Sequence, residues 1–128
     1  MAILGDFVVV LSSEVRIGDP GGGVKKYWNS EFRTSNRSKA GKAVMMFEHR
    51  DVTYTGNKVF LNGKHIFTLA KSDADRYRAD IAIFNASNLR DDSKNELEIR
   101  AKKLDIRDTN KYDDFFIKNI VIFFHQES

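Results

Sequence analysis

The sequence contains no cysteine and only one proline. Without cysteine the chain can form neither disulfides nor thiolate metal sites, and it has no cysteine nucleophile. No run of apolar residues approaches the roughly 18 that a membrane-spanning helix needs. The net charge is only +3, which is too small to imply a nucleic-acid partner by itself. The opening MAILGDFVVVL lacks a basic leader region, so we interpret it as a strand and expect a cytoplasmic location by default, with signal-independent export left open.

What the chain does contain is typical of a single β-rich domain over residues 1–128. Ten phenylalanines favour strands, and most apolar segments are four to eight residues long, alternating or solidly apolar. The segments predicted as strands are 6–11, 43–49, 58–61, 64–69, 78–84, 95–101 and 115–124. Short strands at this regular spacing predict an antiparallel sandwich or barrel.

The stretch KVFLNGKHIF, residues 58–67, predicts a hairpin. Two short apolar runs separated by Asn-Gly are typical of a type I′ turn, whose two central residues both need positive φ. Asn tolerates that conformation and Gly adopts it without steric cost. Asn62 and Gly63 are therefore expected to be scaffold.

Three further strands carry side-chain patterns. In 95–101, Leu97, Ile99 and Ala101 are expected to point inward and the charged residues between them outward, because strand side chains alternate. In 78–84, Ala79, Ile81 and Ile83 share one face and Asp80 lies on the other. The last strand is apolar on both faces from Ile120 to Phe124, so it is either central or meets another subunit. Its candidate interface residues are Ile120, Ile122 and Phe124.

The middle of the chain resembles the jelly-roll sugar-binding domains of glycoside hydrolases, which share the galactose-binding-like fold. The matching motifs are Phe47-Glu48, Asn62-Gly63-Lys64, the stretch 83–89 and Asn95 to Ile99. The closing DDFFIKNIVIFF resembles the last strand of such modules, which returns beside the first. The resemblance covers residues 43–124 and implies an all-β antiparallel β-sandwich, a jelly roll, that accompanies catalysis without performing it.

The same resemblance implies a structural Ca²⁺ between the first and last strands. Hard oxygen ligands suit this ion. The candidate ligands are Asp6, Asp113 and Asp114, with Asp105 and Asp108 just upstream. Carboxylates that only keep a loop solvated are the alternative.

Two clusters are candidates for sugar binding, which commonly combines an aromatic face with hydrogen-bonding side chains. The first is Tyr27-Trp28-Asn29, which holds the only tryptophan. The second comprises Asp73, Asp75, Arg76 and Tyr77, in a predicted loop. The alternatives are a tryptophan that fills the core and charges that solvate a loop.

No catalytic residue is predicted, because His49, His65 and His125 lie in no recognisable motif. The leading hypothesis is a non-catalytic, lectin-like module that binds a glycan at loops at one end of the sandwich. The alternative is a structural or assembly protein that oligomerises or binds a protein partner through its sheet faces. Nucleic-acid binding by the basic segment 16–50 is the weakest of the three hypotheses.

Overall fold

In a computed structural model of the protein, the structure describes residues 3–34, 36–91, 93–104, 107 and 111–127. Two antiparallel sheets enclose one apolar core, so the predicted all-β sandwich is confirmed. The strands are β1 (Ile3–Leu11), β2 (Val15–Ile17), β3 (Tyr27–Phe32), β4 (Lys42–Arg50), β5 (Lys58–Leu61), β6 (Lys64–Thr68), β7 (Arg78–Asn85), β8 (Asn95–Arg100) and β9 (Phe115–Glu127). Within those described ranges the only helical segment is a 3₁₀ turn, Ala86–Asn88.

The five-stranded sheet has the order β1-β9-β4-β7, and β2 pairs with β9 beyond the end of β1. The four-stranded sheet has the order β3-β8-β5-β6. The prediction that the last strand returns beside the first is confirmed, since Phe7 lies opposite Phe123 in antiparallel register. Strand β9 is central, with β1 and β2 on one side and β4 on the other.

The core is built from the inward-facing residues of both sheets. Leu97 and Ile99 of β8 are fully buried, and Glu96 and Arg100 between and beside them are exposed. The predicted alternation of β8 is therefore confirmed. Phe47 of β4 and Phe67 of β6 meet edge to face at 5.5 Å between ring centroids, which joins the two sheets across the core.

The predicted interface residues of the last strand lie in this core. Ile120 and Ile122 are fully buried and Phe124 is 4% exposed, so none of them can meet another subunit without unfolding. The prediction of an interface through them is wrong. Strand side chains alternate, and it is Val121 and Phe123 that lie on the outer face of β9.

The apolar face of β7 also points outward. Ala79, Ile81 and Ile83 do share one face, but Ile81 is 52% and Ile83 65% exposed, whereas Ala82 and Phe84 are buried. The outer face of the five-stranded sheet is consequently apolar over part of its area.

The Asn62-Gly63 turn is confirmed by φ angles of 51° and 82°. The Asn62 amide donates to the backbone oxygen of Asn88 at 2.9 Å, and its oxygen accepts the N–H of Glu96 at 2.9 Å. These bonds tie the hairpin to the 3₁₀ turn and to the start of β8, so the Asn62 side chain is part of the scaffold.

Two strands escaped prediction. Strand β2 is only three residues long. Strand β3 begins directly after a glycine-rich connection, at Tyr27, and contains the first cluster proposed for sugar binding. That cluster therefore lies on a strand and not on a loop.

Candidate functional site

The outer face of the four-stranded sheet brings polar and aromatic side chains together from four strands. Two rows cross the sheet in register. The first joins Tyr27 to Arg100 and Lys58, and the second joins Asn29 to Glu98, Phe60 and His65. We call these seven residues the polar face.

Tyr27 lies at one edge of the polar face and is 41% exposed. It lines a depression of about 310 Å³ together with Lys26, Glu98, Arg100 and Tyr112. The Arg100 guanidinium donates to the Glu98 carboxylate, so both groups are held beside the phenol. The Tyr27 ring therefore lies beside a hydrogen-bond donor, the Arg100 guanidinium, and an acceptor, the Glu98 carboxylate, which are paired with each other.

The centre of the polar face carries a second aromatic group. The Arg100 guanidinium carbon lies 4.1 Å from the ring centroid of Phe60, a cation–π contact. On its other side Phe60 lies 5.6 Å from the His65 ring. His65 is exposed, and its Nε2 hydrogen-bonds within its own strand, to the Thr68 hydroxyl at 2.9 Å.

The first predicted sugar-binding cluster is divided between two faces. Tyr27 and Asn29 point outward, whereas Trp28 between them points inward and packs, partly buried, against the core. The polar face thus includes Tyr27 and Asn29, and Trp28 contributes to core packing. Sequence reasoning missed Phe60, Glu98 and Arg100, and only the alternation of β8 indicated that the last two face outward.

The second predicted cluster lies apart from the first. Asp73, Asp75 and Arg76 are exposed in the connection after β6, the strand at the opposite edge from β3. Asp73 and Arg76 pair with each other at 3.3 Å. The Tyr77 ring is half-buried, with the Lys118 ammonium 3.8 Å from its centroid. The structure therefore does not join the two clusters into one site.

The three candidate calcium ligands also do not converge. Asp6 lies opposite Phe124, whereas Asp113 and Asp114 immediately precede Phe115 at the other end of β9. At about 3.3 Å per residue, nine residues of strand separate them by roughly 30 Å. In the described part of the chain no three His, Asp or Glu side chains are grouped so as to hold a metal ion. Asp105 and Asp108 lie outside the described residues.

Asp113 has a structural environment. It is 2% exposed, and its Oδ2 accepts the N–H of Tyr54 at 3.0 Å and the Asn57 amide at 2.9 Å. Its neighbour Asp114 accepts the N–H of Asp19 at 2.7 Å. Burial raises the pKa of Asp114, and the adjacent Asp19 carboxylate adds to the increase although the N–H bond opposes it. Both carboxylates thus hold loops at this end of the sandwich.

A hydrogen-bonded Ser–His–Asp chain lies at the end of β4. His49 Nδ1 is 2.9 Å from the Ser72 hydroxyl, and His49 Nε2 is 2.8 Å from the Asp80 carboxylate. These distances match those of an activated serine nucleophile. Two features favour a structural role: His49 is fully buried, and the Ser72 oxygen already accepts the N–H of Val52 at 3.1 Å. We interpret the chain as a clamp that fastens the β6–β7 connection to β4.

Comparison with protein-family models and with curated proteins finds no match for this chain. Within the described ranges there is no helix that is both long enough and apolar enough to cross a membrane.

Proposed function

We propose that this protein is a non-catalytic carbohydrate-binding module with a jelly-roll fold, and that it binds a glycan on its polar face. The observation that carries the proposal is the exposed Tyr27 ring beside the paired Glu98 and Arg100 side chains, with Asn29 in the next row. We propose the outer face of this sheet as the binding site, in place of the loops at one end of the sandwich that the sequence indicated.

The strand order supports the jelly-roll assignment. In a double-sheet jelly roll, strands that are distant in sequence pair with each other within each of the two antiparallel sheets. Here β9 lies beside β1, and β8 lies beside β3. The resemblance of residues 43–124 to galactose-binding-like domains points to the same topology.

The chemistry of the polar face suits a sugar. One side of a pyranose is a C–H surface that packs on an aromatic ring, and Tyr27 offers an exposed ring for it. Sugar hydroxyls both donate and accept hydrogen bonds, and the face offers a carboxylate acceptor on Glu98, a guanidinium donor on Arg100 and an amide with both on Asn29. Tyr27, Glu98 and Arg100 line the depression from the outer face of a sheet, and a site on such a face favours a glycan chain over an enclosed small molecule.

The first test is a glycan array probed with the purified protein in calcium-containing buffer and again with EDTA. We expect a structurally related set of bound glycans, with a signal that survives EDTA because the polar face contains no cluster of metal ligands. A blank array at high protein density would contradict the proposal and favour the structural or assembly protein.

A pair of variants then locates the site. Tyr27→Ala is expected to weaken glycan binding at least tenfold, or about 1.4 kcal/mol. Tyr54→Ala is the matched control, since Tyr54 is 45% exposed but lies in the β4–β5 connection, off the polar face. Equal losses in the two variants would show that binding occurs elsewhere.

The proposal that the protein is non-catalytic has its own test, because Ser72, His49 and Asp80 form a hydrogen-bonded chain of the kind that activates a serine nucleophile. Incubation with a fluorophosphonate probe and mass spectrometry is expected to leave Ser72 unmodified. Labelling that disappears in His49→Gln would contradict the non-catalytic assignment.

A further inference from the structure

The outer face of the five-stranded sheet carries a continuous apolar surface. One row across the strands joins Phe7, Phe123, Val44 and Ile83, and the next joins Val9, Val121, Met46 and Ile81. We call these eight residues the apolar face. Six of them are exposed by 40–65%: Phe7, Val9, Met46, Ile81, Ile83 and Phe123.

Polar groups bound the apolar face at both ends of the strands. At one end Glu48 accepts the Asn119 amide at 2.9 Å and lies 3.9 Å from the Lys118 ammonium. At the other end Lys42 donates to the Asn85 amide oxygen at 2.6 Å. An apolar centre with a polar rim is the usual composition of a protein–protein interface.

The size of the apolar face indicates what covers it. With about 150–200 Å² for each of these large apolar side chains, of which 40–65% is exposed, the six residues present roughly 500 Å² of apolar surface, near the upper limit for a monomer. Two such faces in contact would bury about 1,000 Å², which is the area that a specific interface needs.

A second copy of this chain also matches the apolar face in shape and charge. Sheets of the same twist pack face to face about 10 Å apart. Consider a two-fold axis that lies in the plane between the two sheets, perpendicular to the strands and midway between the Ile83 row and the Ile81 row. It places β4 over the partner's β4 with the two strands running in opposite directions. Glu48 of each copy then lies beside Lys42 of the other, and the Ile83 row of each lies over the Ile81 row of the other.

We propose that two copies of this chain associate through the apolar face to form a two-fold symmetric dimer. The two polar faces then point away from each other, on the outside of the dimer. This inference does not depend on glycan binding, because it rests on the opposite sheet.

Sedimentation velocity over a wide range of protein concentrations tests the dimer. We expect a monomer–dimer equilibrium for the unaltered protein. Ile83→Lys is expected to raise the dissociation constant at least tenfold, since the symmetric interface contains the substitution twice. Leu104→Lys is the matched control, because Leu104 is a 40% exposed apolar residue outside the apolar face. Thermal unfolding of both variants verifies that they fold.

A charge exchange tests the two-fold arrangement. Lys42→Glu and Glu48→Lys are each expected to weaken the dimer, and the double variant is expected to recover at least half of the lost affinity. A monomer at every concentration would overturn the proposal, as would a dimer unaffected by Ile83→Lys. Binding of the monomer to phosphatidylcholine vesicles, lost in Ile83→Lys, would overturn it in favour of a lipid surface.

Discussion

Replacement of Asp113 tests the interpretation that this buried carboxylate holds the loops at one end of the sandwich. Its Oδ2 accepts both the Tyr54 N–H and the Asn57 amide, and the Thr53 N–H lies 3.5 Å from Oδ1. Asn57 is fully buried, and its own oxygen accepts the N–H of Lys102 at 2.7 Å. A single carboxylate therefore joins the start of β9 to the β4–β5 connection and, through Asn57, to the chain after β8.

The expected loss of stability follows from the number of hydrogen-bond donors that each substitution leaves without a partner. Asp113→Ala removes both short bonds, and a buried donor left unsatisfied costs about 1–3 kcal/mol, so we expect a loss of about 3–4 kcal/mol. For a chain of this length that loss lowers the melting temperature by about 10–15 °C. Asp113→Asn can place its amide oxygen at the position of Oδ2 and keep both bonds. It loses the charge assistance, which is about 1 kcal/mol, and it turns its NH₂ group, in place of Oδ1, toward the more distant N–H of Thr53.

The assay is urea unfolding of the three proteins, each in calcium and in EDTA. We expect the free energy of unfolding to decrease from the unaltered protein to Asp113→Asn and again to Asp113→Ala, with the same differences in both buffers. If calcium stabilised the unaltered protein and both variants lost that effect equally, Asp113 would be a metal ligand and the loop interpretation would be refuted.

Three other predictions concern stability. Burial lowers the pKa of His49 below 6.5, although the Asp80 contact opposes the shift. As the pH drops below about 6.5, the unfolded chain therefore takes up the proton before the folded protein does, and the free energy of unfolding should fall. Urea titrations at several pH values measure this fall, which should be smaller in His49→Gln. Trp28→Ala should lower the free energy of unfolding by about 2 kcal/mol through lost packing and leave glycan affinity unchanged; loss of binding at full stability would contradict this. Gly18→Ala should severely reduce the yield of folded protein, because a Cβ there would lie 1.9 Å from a carboxylate oxygen of Asp114. Gly5→Ala is the control: a Cβ at this position would meet open space, so the variant should behave like the unaltered protein in expression and melting assays.

The parts of the fold that the sequence predicted are those with local signals. The Asn62-Gly63 turn needs only the conformational freedom of two residues, and the alternation in β8 follows from its own composition. Strand β3 lacks such a signal, because its apolar and polar residues follow a glycine-rich segment and include a tryptophan that equally suits a binding loop. The pairing of β9 with β1 was indicated only by the family resemblance.

Which face of a strand points inward could not be predicted where both faces are apolar. Between Ile120 and Phe124 either set of alternate residues could form the core. In β7 the inward pair, Ala82 and Phe84, is no more apolar than the outward pair. The choice depends on what the rest of the sandwich places opposite, which is a property of the assembled sheets.

The polar face lay beyond prediction for a related reason. Tyr27, Phe60 and Glu98 come from three strands separated by more than thirty residues each. Their proximity results from the pairing of β3, β8 and β5. The predicted residues Tyr27 and Asn29 belong to it only because alternate residues of β3 face outward.

The central position of β9 has a consequence for the order in which the protein can fold during synthesis. Strands β1, β2 and β4 all pair with β9, which is translated after the other eight strands of the described residues. Until it emerges from the ribosome, β1 lacks the one sheet neighbour that it has among the described residues, and β4 lacks one of its two neighbouring strands. Such long-range pairing slows folding and prolongs the exposure of unpaired strands. The two sheets of this protein are therefore expected to close only after β9 has been synthesised.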